Sequence, residues 1–371
     1  MQPICRLWLA PYLHQSSACA SRPSIQQFLI RFQRSKHSLA PSAPFRPLAF
    51  YALHALPETS LPSLESNIRN QLKKLDTVGR IYLAPDSGIG GINAQLSVPV
   101  HQVSAVQSVF DTLPQFRGVS FDYNYGMKDT EKPSFRNLKV LLKPHLVAVG
   151  TAVNSRDLSK KPIYLTPDQW HQQLSNCDKD TLLVDMRNHY EYDVGRFKNA
   201  TKMNSDTFRD SLTILDDLVA SREKDEAIYM YCTGGIRCSV AGAYMANKGY
   251  TNVNMLKGGI TNYGHYVNEN KVEDSLFRGS NFTFDGRRGE RITDDVLAHC
   301  HQCGAPCDVL SNCANKLCHL LFIQCPSCKR KHEETCSSEC RDVVHGRKEW
   351  SHEYNYHAQI RPSSKIHAAQ E

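Results

Sequence analysis

The stretch Tyr229-Met230-Tyr231-Cys232-Thr233-Gly234-Gly235-Ile236-Arg237-Cys238-Ser239-Val240-Ala241-Gly242-Ala243 reads as a buried strand, a cysteine, a glycine-rich loop and the start of a helix. Ala227 and Ile228 extend the strand into a short apolar run with aromatic and β-branched members. Gly234 and Gly235 accept positive φ and let backbone N–H groups turn inward. Ser239, ahead of an Ala/Val-rich run, reads as the N-cap of the helix. Cys232 then sits in a nest of amide donors at a helix N-terminus, with Arg237 close by. That setting favours the thiolate, the nucleophilic form of cysteine. Cys232 and Arg237 are the candidate catalytic residues, and Thr233, Gly234, Gly235, Ile236 and Cys238 complete the loop.

Working outward, Leu182-Leu183-Val184-Asp185-Met186-Arg187 is followed by Glu191 and by Gly195-Arg196-Phe197-Lys198-Asn199-Ala200. Met255-Leu256-Lys257-Gly258-Gly259-Ile260 lies beyond the loop. With these segments, residues 166–271 resemble one domain of the rhodanese family, through its D-x-R…E…G-H-I-x-G-A and L-x-G-G elements. Arg196 stands where the family usually has His, and Tyr263 lies where a Trp is usual. The resemblance implies an α/β domain over 158–275, a parallel sheet with flanking helices. It also implies a persulfide-bearing Cys232, with Asp185 and Arg187 in support. There is no second copy in the sequence.

A chain of 371 residues suggests two or three domains. No apolar run approaches the 18 residues of a membrane span, so none is expected. The formal charge of +7 suggests nucleic acid, but residues 1–57 hold six Lys/Arg and no Asp or Glu, leaving 38 basic against 37 acidic residues elsewhere. Residues 1–47 are serine-rich, acid-free and carry spaced arginines, the composition of an organellar transit peptide; the chloroplast is favoured over the mitochondrion.

Residues 48–150 read as a small α+β domain. Strands are predicted at 48–53, 79–84, 92–98, 119–125 and 138–143, with helices at 58–75 and 100–113. The order β-α-β-β-α-β indicates a ferredoxin-like or acylphosphatase-like sandwich. Ser87-Gly88-Ile89-Gly90-Gly91 reads as a hairpin turn rather than a phosphate cradle, since no helix follows at once.

Nine of the 14 cysteines lie between Cys300 and Cys340. Cys300-His301-Gln302-Cys303 and Cys325-Pro326-Ser327-Cys328 are paired CxxC knuckles, a zinc signal because tetrahedral zinc takes four thiolates from two tight turns. Cys313, Cys318, Cys336 and Cys340 supply a second set; Cys307 is a further candidate, and His299, His301, His319 and His332 are reserve ligands. A disulfide framework is the rival. Residues 276–343 form this cysteine-rich region, and 344–371 read as a disordered, polar tail.

The order of parts resembles the tRNA uridine hydroxylase family, and among its members the plant organellar rhodanese-like domain-containing proteins. The residues are Gly79-Arg80-Ile81-Tyr82-Leu83-Ala84, Gly88-Ile89-Gly90-Gly91, Phe135-Arg136-Asn137-Leu138-Lys139-Val140 and Val147-Ala148-Val149-Gly150, then one rhodanese domain and the cysteine-rich region. The family's loop usually reads E-G-I-N-G-T, and Asp86-Ser87-Gly88-Ile89-Gly90-Gly91 departs from it. The resemblance implies hydroxylation of the tRNA wobble uridine at carbon 5, molecular oxygen as co-substrate, the anticodon arm as partner and zinc in a structural role.

Two chemistries use the same thiolate. Cys232 adds to carbon 6 of uracil, with loop amides holding the developing enolate. Alternatively it takes sulfur from a small donor and passes it on as a sulfurtransferase. Arg237 serves the thiolate or grips a phosphate, and Cys238 is a redox partner or a packing residue. Lys329-Arg330-Lys331, Arg287-Arg288, Phe282 and Phe284 are candidates for phosphate grip and base stacking.

Overall fold

The computed structural model describes residues 44–149, 153, 158, 160–178, 180–205 and 207–350. Of residues 1–47, read from the sequence as a transit peptide, 1–43 lie outside the described residues, and so does the part of the 344–371 tail beyond residue 350.

The first domain begins with β1 (Phe45–Leu53), three residues earlier than the apolar alternation indicates. Arg46 is held there by Asp129 at 2.8 Å, so a charged residue extends the strand. After a 3-10 turn, α1 (Leu61–Lys74) buries Leu61, Leu64, Ile68 and Leu72 along one stripe. β2 (Val78–Ala84) and β3 (Gly91–Pro99) form an antiparallel hairpin, so the glycine segment is a turn, as read. Its tip residue Ile89 is fully buried and joins Met186, Met203 and Phe208 of the next domain in one apolar cluster. α2 (Val103–Asp111) precedes β4 (Asn124–Tyr125) and β5 (Leu138–Leu142). The strand expected over 119–125 pairs only at its last two residues, because Phe121 and Tyr123 pack edge-on against Phe50.

The sheet order is β4-β1-β3-β2-β5, so the two late strands close opposite edges, β5 running parallel to β2. This is the acylphosphatase-like sandwich with one added strand. Leu48, Phe50, Ile81, Leu83, Ile92 and Ala94 point into the helix-covered core. The alternate residues face away from it.

The second domain has a parallel sheet from β6 (Ile163–Leu165), β7 (Leu182–Asp185), β9 (Thr201–Lys202), β10 (Ile228–Tyr231) and β11 (Val253–Leu256), in the order β6-β11-β10-β7-β9. Its helices are α3 (Pro167–Asn176), α4 (His189–Val194), α5 (Phe208–Val219), α6 (Ile236–Asn247) and α7 (Gly259–Glu269). Buried Trp170 packs edge-on against Phe197, Tyr229 and Tyr231. β8 (Gly195–Phe197) leaves this sheet and pairs antiparallel with β12 (Phe277–Asn281), which also pairs with β13 (Glu290–Arg291). The C-terminal region is thereby stitched to the second domain by backbone hydrogen bonds. It continues with the hairpin β14 (Leu310–Asn312) and β15 (Leu321–Ile323), then α8 (Pro326–Lys331) and α9 (Ser338–Val344). Val344, placed by the sequence at the start of the tail, ends α9, and Trp350 packs partly buried against the cysteines of this region. Among the described residues no helix is long and apolar enough to cross a membrane.

Candidate active site

Cys232 follows the central strand β10 at its C-terminal end, where open parallel sheets present their ligands. The helix after it starts sooner than the sequence indicates. Gly235, with φ 103°, is the N-cap of α6, and Gly234 does not share the positive φ. Ser239 is therefore not a cap. It sits buried inside α6 and shares a 2.8 Å hydrogen bond with the hydroxyl of Tyr51 from β1. The turn at Gly235 brings its amide to 3.1 Å from the Cys232 sulfur. A Cβ on Gly235 would lie 3.0 Å from the Tyr51 hydroxyl, so this position holds glycine for both reasons.

The paired glycines of the third motif also have a physical cause. Gly259, with φ 66°, would bring a Cβ to 2.5 Å from the carbonyl oxygens of Cys232 and Thr233. Its close approach lets the amides of Ile260 and Thr261 donate to those oxygens at 3.0 and 3.2 Å.

Arg237 forms a bidentate pair with Glu191 at 2.7 and 2.9 Å and reaches Thr233 Oγ1 at 3.2 Å. Its guanidinium is thus committed, which leaves it as a fixed positive charge beside the thiol rather than a free phosphate clamp. Burial pushes the Glu191 carboxyl up, but Arg237 and Arg187 hold it below its ordinary range. Asp185 and Arg187 form a fully buried pair at 2.6 and 2.8 Å, and Arg187 also donates to the Gly195 carbonyl at 2.6 Å. They brace β7 against β8, one step from the cysteine. Arg196 lies over the Tyr192 ring at 4.8 Å, and buried Tyr263 bonds His171 at 2.8 Å.

The Cys232 thiol is 1 % exposed. Burial pushes its pKa up. A hydrogen bond from the Cys238 thiol, the Arg237 charge and the amides of Cys238 and Gly235 outweigh it and bring the thiol down to about 6. The loop amides therefore serve the sulfur itself rather than an enolate. At neutral pH this cysteine is mostly thiolate.

That thiolate faces a cavity of about 370 Å³. Its floor is Cys232, Thr233, Gly234, Ile236 and Arg237. Its roof is the helix-free face of the first sheet, with Tyr51, Arg80, Tyr82, Asn93 and Gln95, and its side includes Asn124, Asn188, Phe284 and Arg287. All three parts of the chain contribute. Arg287 is engaged by Asp285 and Glu290, so it is a wall and not a free phosphate grip. Phe282 is buried against Tyr190 and unavailable for stacking, whereas Phe284 lines the cavity. Lys329 pairs with Glu334 at 3.4 Å, while Arg330 and Lys331 are exposed on α8.

The sequence missed the roof. Asn93 and Gln95 alternate with buried Ile92, Ala94 and Leu96 on β3, a pattern that ordinarily means a solvent face. Glu191 was visible only as a motif letter.

The cysteine-rich region resolves into two sets of four: Cys300, Cys303, Cys325 and Cys328, and Cys313, Cys318, Cys336 and Cys340. The sulfurs lie 3.7 Å apart for Cys303–Cys325, 3.7 Å for Cys318–Cys336 and 3.6 Å for Cys336–Cys340. A disulfide is about 2.05 Å. Thiolates on a tetrahedral metal with bonds of about 2.3 Å lie about 3.8 Å apart, which these sets match. Each set offers a four-sulfur metal site. Cys307 lies outside both, its sulfur accepting the Val309 amide at 3.4 Å, and the four histidines are not ligands of either set.

Residues 45–146 match the UPF0176 acylphosphatase like domain, 166–265 the Rhodanese-like domain and 278–341 the Rhodanase C-terminal model. The tRNA uridine(34) hydroxylase of Yersinia pestis (strain Pestoides F) is 43 % identical over 307 residues, 82 % of this chain and 83 % of that protein. Its counterpart from Photorhabdus laumondii subsp. laumondii is 42 % identical, covering 82 % of this chain and 84 % of its own. Among solved structures, a rhodanese-like domain from Anabaena is 22 % identical and covers 32 % of this chain and 80 % of its own, with a TM-score of 0.25. Identity at this level across all three parts means that the chain belongs to the tRNA uridine(34) hydroxylase family.

Proposed function

We propose that this enzyme hydroxylates the wobble uridine of tRNA at carbon 5, with molecular oxygen as co-substrate and Cys232 as nucleophile. The observation that carries the reading is the roofed cavity over a thiol whose pKa lies at about 6. Its volume admits a flipped-out pyrimidine, and enzymes that act on a base take it out of the stack. Asn93, Gln95 and Asn124 line it with carboxamides, which offer the donor and acceptor pairs that match a uracil edge. The Cys232 thiolate adds to carbon 6 of the ring. Carbon 5 thereby becomes an enolate carbon, rich in electrons and open to oxygen. Arg237 stays charged throughout, because Glu191 holds it, and keeps Cys232 a good leaving group for the final elimination.

Relay of sulfur from a small donor uses the same thiolate. A roof from another domain adds nothing to that reaction, and this favours the hydroxylase. The two cysteine sets are read as structural zinc sites, each held by its four thiolates. When bound, zinc supplies a cross-link that the small C-terminal region lacks in apolar core. The first set packs with Tyr190, Val194 and Phe282, behind the helix that carries Glu191.

Mass spectrometry of nucleosides in tRNA from cells with and without the protein tests the proposal. Loss of wobble 5-hydroxyuridine on its removal is the expected result. Unchanged tRNA, together with strong thiosulfate:cyanide activity and no tRNA binding at physiological salt, overturns it in favour of sulfur transfer.

A further inference from the structure

Placing one atom of molecular oxygen on carbon 5 leaves the other to be reduced to water. That reduction takes two electrons and two protons. Beneath the cavity lies a pair of thiols able to supply both. Cys238, in the first turn of α6, is fully buried in the same apolar cluster as Cys232, and the Gly235 amide that opens this turn donates to the Cys232 sulfur at 3.1 Å. The two are free cysteines. Among the described residues, Cys177 is exposed at the end of α3, and eight of the others are taken up by the two metal sets.

We propose that Cys238 is the reducing partner of Cys232 in uridine hydroxylation, and that each turnover leaves a Cys232–Cys238 disulfide. This rests on the hydroxylase reading above. Burial and the neighbouring sulfur push the Cys238 thiol well up, so it keeps its proton while Cys232 is ionised. The pair thus holds one nucleophile and one reserve of hydrogen.

The steps balance. Cys232 adds to carbon 6, and carbon 5 takes up oxygen and a proton to become a hydroperoxide. The Cys238 sulfur attacks the distal oxygen; the O–O bond breaks, an S–O bond forms, and carbon 5 keeps a hydroxyl. Loss of the carbon 5 proton with cleavage of the C6–S bond releases 5-hydroxyuridine and frees the Cys232 thiolate. That thiolate attacks the Cys238 sulfenic acid; an S–S bond forms and the oxygen leaves as water. In sum, uridine, one oxygen molecule and two thiols give 5-hydroxyuridine, water and one disulfide. A small dithiol then reopens the disulfide by exchange.

The test uses the full chain, reduced, freed of reductant without air, mixed with tRNA and then exposed to oxygen. Free thiols are alkylated and the peptides weighed. The expected result is about one Cys232–Cys238 disulfide per 5-hydroxyuridine, a single turnover, and resumption on adding dithiothreitol. Cys238→Ser keeps a hydrogen-bond donor, so its Cys232 alkylates within about threefold of the wild-type rate, while its 5-hydroxyuridine yield without dithiothreitol falls at least about tenfold. A simple packing role for Cys238 would not produce that split. Product from the wild-type chain with no disulfide overturns the inference and leaves the hydroxylase standing. No product even with oxygen and dithiothreitol overturns the hydroxylase reading itself. If the variant does not fold, the wild-type disulfide count still decides.

Discussion

The cysteine of the glycine-rich loop, Cys232, and the cysteines of the C-terminal region are surrounded alike and yet differ in their neighbours. In both places backbone amides point at sulfur: Gly235 to Cys232 at 3.1 Å, Cys325 to Cys300 at 3.3 Å and Cys336 to Cys313 at 3.4 Å. The difference is what stands next to the sulfur. Cys232 has one protonated thiol, one fixed guanidinium and an open cavity, so a single charge is balanced and remains able to react. The tetrads place sulfurs 3.6–3.7 Å apart, where two thiolates repel by about 4 kcal/mol at an effective dielectric of 20. Four such charges need a cation among them, and a metal-bound thiolate is no longer a free nucleophile. Neighbours, not the residue type, set the role.

The tetrads give the larger expected effect. Purified protein should carry two zinc ions per chain. Cys325→Ser, or a strong chelator, should unfold the region around 300–340, since structural zinc contributes on the order of 10 kcal/mol of apparent folding energy. Proteolysis should cut there first, while alkylation of Cys232 continues. Metal-free protein with an equally protected C-terminal region would break the comparison.

A smaller effect sharpens it from the other side. The alkylation rate of Cys232 should rise with pH to a plateau, with its midpoint near the value of about 6 that its surroundings set. Arg237→Met, combined with Glu191→Gln so that no buried carboxylate is left unpaired, should move the midpoint up by about one unit or more. At pH 7 the variant is then slower, and at pH 10 the two converge. The stability linkage has the same sign: a thiol pKa depressed by folding stabilises above its ordinary value and loses that contribution as pH falls through about 6. An unmoved midpoint would mean that Cys238 and the loop amides alone hold the thiolate.

What could be read from the sequence was local along the chain. The Cys232 loop, its supporting Asp185 and Arg187 and the two CxxC knuckles each fit within a few residues, and their spacing carries their geometry. The partition of the remaining cysteines was not local; only the fold separates Cys307 from the second set. The cavity roof was least legible. Tyr51, Asn93 and Gln95 lie on the sheet face that a two-layer sandwich ordinarily gives to water, and nothing in their alternation tells water from a neighbouring domain. The cap at Ser239 was misplaced because Gly235 takes the left-handed conformation and starts the helix earlier.

One measurement bears most directly on the claim that Cys232 is a base-directed nucleophile. The purified chain is incubated with a tRNA transcript carrying a wobble uridine, in air with dithiothreitol, and 5-hydroxyuridine is quantified for wild type and Cys232→Ser. Since a serine hydroxyl is not ionised near neutral pH, product should appear with wild type and fall by roughly three orders of magnitude in the variant. Equal product from both proteins would contradict the claim.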